Sequence, residues 1–97
     1  QQIGVGVRDA AEGFKWYGTV LKADIQVFDD NNEATFMAKY MGGKPRQKRA
    51  ILAMNLNGGS GYEIWQHTEH TPQPPKTPVQ IGDLGINIMK IKSCSII

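Results

Sequence analysis

The sequence predicts a single α+β domain with the element order β-α-β-β-β, and three patterns carry this prediction. The chain opens with apolar residues at alternate positions over residues 3–7, which is typical of a strand with one buried face. A stripe of apolar residues at helical spacing follows over residues 10–21. A glycine-rich turn at residues 58–61 then joins two further strand-like segments. Together these patterns predict a sheet with one helix packed on it.

Length and composition place the chain among small globular domains. Its 97 residues, 40% hydrophobic and 21% charged, are enough for one core and too few for two. The formal charge of +2 gives no reason to expect a nucleic-acid partner. No apolar run approaches the ~20 residues that span a bilayer, so we expect no membrane partner. The single cysteine, Cys94, cannot form an internal disulfide and predicts a cytoplasmic location.

The first strand and the helix form one β-α unit. Ile3, Val5 and Val7 lie on one face of the strand. Asp9 and Glu12 have the spacing of a capping box, so the helix should begin directly after Asp9. The helical stripe has spacings of four, three and four residues, and it consists of Ala10, Phe14, Tyr17 and Leu21. We expect this stripe to pack on the apolar face of the strand.

The middle of the chain predicts a short strand and a short helix. Residues 25–27 are strand-like and should end at the turn-forming run of Asp and Asn at residues 29–32. A helix is expected over residues 33–41, and the Gly-Gly-Lys-Pro run at residues 42–45 should stop it.

An antiparallel hairpin is predicted next. Its strands cover residues 49–55 and 62–67, on either side of the glycine-rich turn. Four basic residues lie within residues 44–49, a stretch that we interpret as a solvated loop, although such a loop could also meet an anionic ligand such as a carboxylate or a phosphate.

The C-terminal third begins with a proline-rich stretch and then becomes strand-like again. Four of the five prolines fall within residues 71–78, which should form an extended connector. A further strand is expected over residues 84–92, whose end can be laid on the opening strand as a weak internal repeat. We therefore divide the chain into a first module at residues 1–70, a connector at 71–81 and the start of a second module, which we expect to be truncated, at 82–97.

Four stretches of the sequence resemble the vicinal oxygen chelate superfamily, which includes glyoxalase I, bleomycin-resistance proteins and extradiol dioxygenases. Residues 2–9 look like its opening strand, 14–21 like its helix motif, 61–66 like its last strand and 84–86 like the start of its second module. Together with the Gly-Gly-Lys-Pro run, they are closest to bacterial glyoxalase-like proteins. The resemblance implies two modules that form a cup, with the helices on the convex side. It also implies a divalent metal (Zn, Ni, Mn or Fe) held by a His and a Glu from each module.

The strand alternation and the resemblance together select the candidate site residues. If the apolar face of the first strand meets the helix, Gln2 and Gly4 face the cup. Glu63, Trp65 and His67 share one face of the last strand. The resemblance makes Glu63 a metal ligand and catalytic residue and puts Gln2 in the position of the usual His. Gln2 and Glu63 are thus the metal candidates, and the ligand-binding candidates are Gln2, Gly4, Trp65 and His67.

The second module lacks the expected metal ligand, and this leaves three functions open. The equivalent position falls on Ile86 or Asn87, neither of which is His. The chain is therefore expected to be a metal-poor or degenerate glyoxalase-like or bleomycin-resistance-like protein that binds a small organic ligand. One alternative is a metal-dependent lyase or isomerase, similar to lactoylglutathione lyase, or a dioxygenase, completed by further sequence or by a dimer partner. The other is an interaction half-domain with no ligand. In each case a homodimer or a second module is the expected partner.

Overall fold

The computed structural model describes residues 2–86 and 88–91, and it has a four-stranded mixed sheet with the order β1-β4-β3-β2. β1 runs parallel to β4, and the other two pairs are antiparallel. The predicted α+β class and the β-α-β-β-β element order are thus confirmed. The elements are β1 (Gln2–Gly6), α1 (Ala10–Leu21), β2 (Ile25–Glu33), a 3-10 helix (Thr35–Tyr40), β3 (Gln47–Met54) and β4 (Gly61–His67).

The core lies between α1 and one face of the sheet, as the strand and helix patterns predicted. The predicted stripe packs with apolar residues of three strands, and the buried members of this cluster are Ala10, Ala23, Ile51, Ala53, Tyr62 and Ile64. Ile51 and Ile64 are the largest fully buried side chains in the described part of the chain. Because only two large side chains are this well buried, each of them contributes a sizeable share of the hydrophobic stabilisation.

Both ends of α1 have identifiable caps. The Asp9 carboxylate accepts a hydrogen bond from the backbone N–H of Glu12 at 3.1 Å, as the capping box predicted. The backbone N–H of Ala10 donates to the Gln66 side chain at 2.8 Å, which ties the start of the helix to the end of β4. At the other end Lys22 has a φ of 58°, a left-handed conformation that commonly ends helices.

The prediction that β2 ends at the Asp and Asn run was wrong. The strand continues through residues 29–32 to Glu33 and pairs with β3 along this length. The Asp29 carboxylate accepts two hydrogen bonds from Arg49, at 3.0 and 2.7 Å. Backbone pairing and this cross-strand ion pair together outweigh the local turn preference of Asp and Asn.

The short helix predicted between β2 and β3 is a 3-10 helix, and it is shorter than the predicted residues 33–41. It spans six residues, has no side-chain cap, and includes the short-range hydrogen bond from Met37 N to Ala34 O at 3.1 Å. Its end agrees with the prediction, because Gly43 has a φ of 86° and its N–H bonds to Ala38 O at 2.9 Å.

The strand predicted over residues 84–92 was wrong in the part of it that the structure describes. Residues 84–86 and 88–91 are neither helix nor strand, and Leu84 is fully exposed. Residues 87 and 92 lie outside the described residues. An alternating pattern becomes a strand only where a ladder partner is available, and the described part of this segment has none. No helix in the described ranges is long and apolar enough to cross a bilayer.

Candidate functional site

All five predicted site residues belong to the face of the sheet opposite α1, which we call the front face. Residues directly opposite one another in a sheet point to the same side, so the strand register gives its cross-strand rows. The first row holds Gly4, Glu63, Leu52 and Phe28. The second holds Gly6, Trp65, Ala50 and Asp30. The third holds His67, Lys48 and Asn32.

Gln2 and Glu63 meet at one end of the front face. The parallel register of β1 and β4 places Gly4 opposite Glu63, which brings the preceding front-face residue of β1, Gln2, within reach. The Gln2 Nε2 donates a hydrogen bond to the Glu63 carboxylate. The two residues are 61 positions apart in the chain, so the sequence alternation predicted a contact that only the sheet could make.

The donor set around Glu63 does not fit the metal site that the resemblance implies. That site needs four ligands, and here one carboxylate faces an amide nitrogen, which does not ligate metal ions. No three His, Cys, Asp or Glu side chains in the described part of the chain are grouped to hold an ion. Ile86 offers no donor, and Asn87 lies outside the described residues. We therefore derive no chemical step through a metal.

Trp65 lies in the middle row of the front face, and Lys48 lies next to it in the third row. Trp65 is half-buried, and the Lys48 Nζ lies 5.4 Å from its ring centroid, within the range of a cation–π contact. Lys48 is only 8% exposed. The sequence interpretation of residues 44–49 as a solvated loop was therefore wrong at this residue, because β3 already begins at Gln47 and turns Lys48 onto the sheet.

His67 lies at the Lys48 end of the front face and has an unsatisfied polar atom. Its Nδ1 is buried and makes no hydrogen bond. Its ring stacks on His70 with 5.5 Å between centroids and meets Trp65 edge-on at 6.2 Å. A buried nitrogen without a hydrogen bond costs about 1–3 kcal/mol of folding free energy. His67 therefore destabilises this end of the front face in the single chain.

Several groups on the opposite, helix-bearing side of the sheet have pKa values that differ from their ordinary values. The hydrogen bonds from Arg49 hold the pKa of Asp29 below its ordinary value, and the same pair raises the pKa of Arg49. Burial raises the pKa of Tyr17, and the neighbouring Tyr62, 4.9 Å away between ring centroids, adds to this effect. These shifts accompany structural contacts, and we assign them no role in chemistry.

Two grooves lie beside β1, and neither includes Glu63, Trp65 or Lys48. One runs along β1 and Tyr17 and is closed by Ile86, Ile88 and Met89. The other lies between the β3–β4 turn and residues 89–91. Both depend on the C-terminal segment. We place the candidate site on the front face because its polar and aromatic groups converge there, whereas the grooves are lined mainly by apolar side chains and turn backbone.

Comparison of the chain with family models, with curated proteins and with solved structures finds no match in any of the three. The resemblance to the vicinal oxygen chelate superfamily therefore stays a prediction drawn from the motifs. What can be argued about function comes from the front face itself.

Proposed function

We propose that this domain binds a small organic ligand on its front face, as one half of a cup that a second copy or a second module completes. The single observation that carries the proposal is the convergence of Glu63, Trp65 and Lys48 on one sheet face, away from the helix-bearing core. Ligand sites combine apolar and aromatic surface with a few placed polar groups, and the front face has this composition.

The arrangement of the face supports a ligand role better than a purely structural one. Trp65 is half-buried and so keeps part of its surface available, while the glycines of β1 leave space beside it. A Cβ added at Gly4 or Gly6 would meet no atom within 4 Å. The face is shallow in one chain, which is the reason for including a second half in the proposal.

The proposal is for a metal-independent, cytoplasmic protein of the glyoxalase-like or bleomycin-resistance-like kind. The metal-dependent alternative makes a distinct prediction, because zinc, nickel, manganese or iron would then copurify in stoichiometric amount. Glu63→Gln would remove that metal. Metal analysis of the purified wild type and of this variant therefore separates the two functions, and stoichiometric metal lost in the variant would reject our proposal.

The two tryptophans allow a direct binding test. Trp65 lies on the front face, whereas Trp16 lies on α1 and is 54% exposed. We expect a panel of small aromatic acids and amides to include compounds that raise Tm and change tryptophan emission in a saturable way. Trp16→Phe should keep that emission change and Trp65→Phe should lose it. If no compound raises Tm and neither variant responds, the domain is an interaction half-domain and the proposal fails.

A further inference from the structure

Lys48 is an unusual residue for a sheet surface, because most of its side chain is covered while its ammonium has no full partner. It is 8% exposed, and the nearest carboxylate oxygen, Asp30 Oδ2, lies 4.0 Å from its Nζ. That distance is beyond the 3.2 Å limit of a good N–H···O hydrogen bond. Within residues 2–86 and 88–91 the Nζ makes no hydrogen bond, and it lies 5.4 Å from the centroid of the Trp65 ring.

Neighbouring groups can cover the aliphatic part of a lysine while its ammonium still reaches the surface. Asp30 pairs only weakly with this ammonium, because the Asp30 side chain is 56% exposed and the pair is screened by solvent. A cation–π contact adds a modest attraction and accepts no conventional hydrogen bond. The ammonium of Lys48 thus retains donors that an anionic oxygen could use.

We propose that Lys48 is the anion-binding group of the front face, and that the ligand is a monocarboxylate with a planar apolar body. This inference rests on the proposed function and specifies its ligand. The carboxylate lies against the Lys48 Nζ, in the third row, where His67 also leaves a polar nitrogen unpaired. The planar body lies beside Trp65, over the strip that Gly6 leaves without a side chain.

The opposite end of the face sets the number of charges on the ligand. Glu63 is two rows away from His67, which is about 13 Å along β4 at ~3.3 Å per residue. A second carboxylate on an extended ligand would meet the Glu63 carboxylate and be repelled. A neutral or hydrogen-bond-donating far end meets no such repulsion, so the face selects monocarboxylates over dicarboxylates of similar length.

The test compares trans-cinnamate with trans-cinnamamide by isothermal titration calorimetry on the full chain. The two probes have the same planar body and differ in charge. We expect wild type to bind cinnamate about tenfold or more tightly than the amide, which is the size of effect that a hydrogen bond to a charged group supplies. Lys48→Met should remove this preference, whereas Lys15→Met, on the exposed side of α1, should retain it.

Each outcome of this test supports or overturns the inference. Equal binding of the two probes to wild type overturns it and leaves the proposed function intact, because the planar body still binds. If neither probe binds at millimolar concentration, the inference about Lys48 is also overturned. The proposed function is then still tested by the wider compound panel. If Lys48→Met does not fold, Lys48→Arg serves as the second variant and should keep the preference for cinnamate over the amide. Loss of that preference in a folded Arg variant would overturn the assignment of Lys48 as the anion-binding group.

Discussion

Replacement of Gly6 by Val should make the domain more stable and at the same time block the front face. Gly6 is opposite Trp65 in the register and has no positive φ, so an L side chain fits its backbone. A Cβ at this position would meet no atom within 4 Å. Valine has fewer conformations than glycine in the unfolded chain, so folding loses less entropy. Valine also has a high preference for strands. Its methyl groups would also occupy the strip beside the Trp65 ring.

The expected gain is about 1 kcal/mol in the free energy of unfolding. Replacing a glycine whose backbone conformation suits other residues contributes about 0.4–1 kcal/mol. A new β-branched side chain opposite Trp65 contributes about 0.2–1 kcal/mol as a cross-strand pair. For a domain of this size, 1 kcal/mol corresponds to an increase in Tm of about 4–8 °C. Binding of cinnamate should weaken about tenfold or more, because the planar body loses its place.

Gly61→Val is the matched control, since it makes the same substitution in the neighbouring strand. There a Cβ would lie 2.9 Å from Leu52 Cδ1 and 3.2 Å from the Ala53 carbonyl oxygen. Overpacking of this kind costs about 1–3 kcal/mol, so this variant should lose stability. Urea titration and calorimetry on both variants measure the two signs. A destabilised Gly6→Val variant, or one that binds cinnamate as tightly as wild type, would refute the assignment of the front face.

Three further predictions concern the core, the helix start and the ion pair of β2. Ile64→Ala should cost about 2–5 kcal/mol in urea titration because Ile64 is fully buried; a loss below about 1 kcal/mol would contradict the placement of the core. Gln66→Leu should cost about 1–2 kcal/mol by leaving the N–H of Ala10 without its acceptor, and an unchanged Tm would show that this bond contributes nothing. The lowered pKa of Asp29 means that its pairing with Arg49 stabilises the fold above the ordinary Asp value of 3.8 and is lost as the pH falls through the lowered value. Asp29→Asn should therefore be less stable than wild type at neutral pH, by at most about 1 kcal/mol, and equally stable in stronger acid; a difference that persists there would rule out titration of this group as its cause.

Local patterns were sufficient for the β-α unit and the hairpin. The alternation of Ile3, Val5 and Val7, the capping residue Asp9 and the glycine-rich turn each act over a few neighbouring residues, so the sequence alone determined these elements. The same alternation placed Gln2 and Glu63 on one side of the sheet, and the structure agrees. What the alternation could not supply was the order of the strands, which brings the two residues together.

Tertiary pairing decided the features where local preference and structure differ. β2 extends through its Asp and Asn residues because β3 offers a ladder and Arg49 an ionic partner. The strand-like pattern after the connector stays irregular in its described part, where no ladder is available. The Lys48 side chain is largely covered because the pleat places it on the front face with its Nζ over the Trp65 ring, whereas its neighbours in sequence suggested a solvated loop. Turns, helix caps and periodicity depend on residues that are close in sequence. Burial and strand pairing depend on which distant strand is the neighbour, and this is decided only when the whole sheet forms.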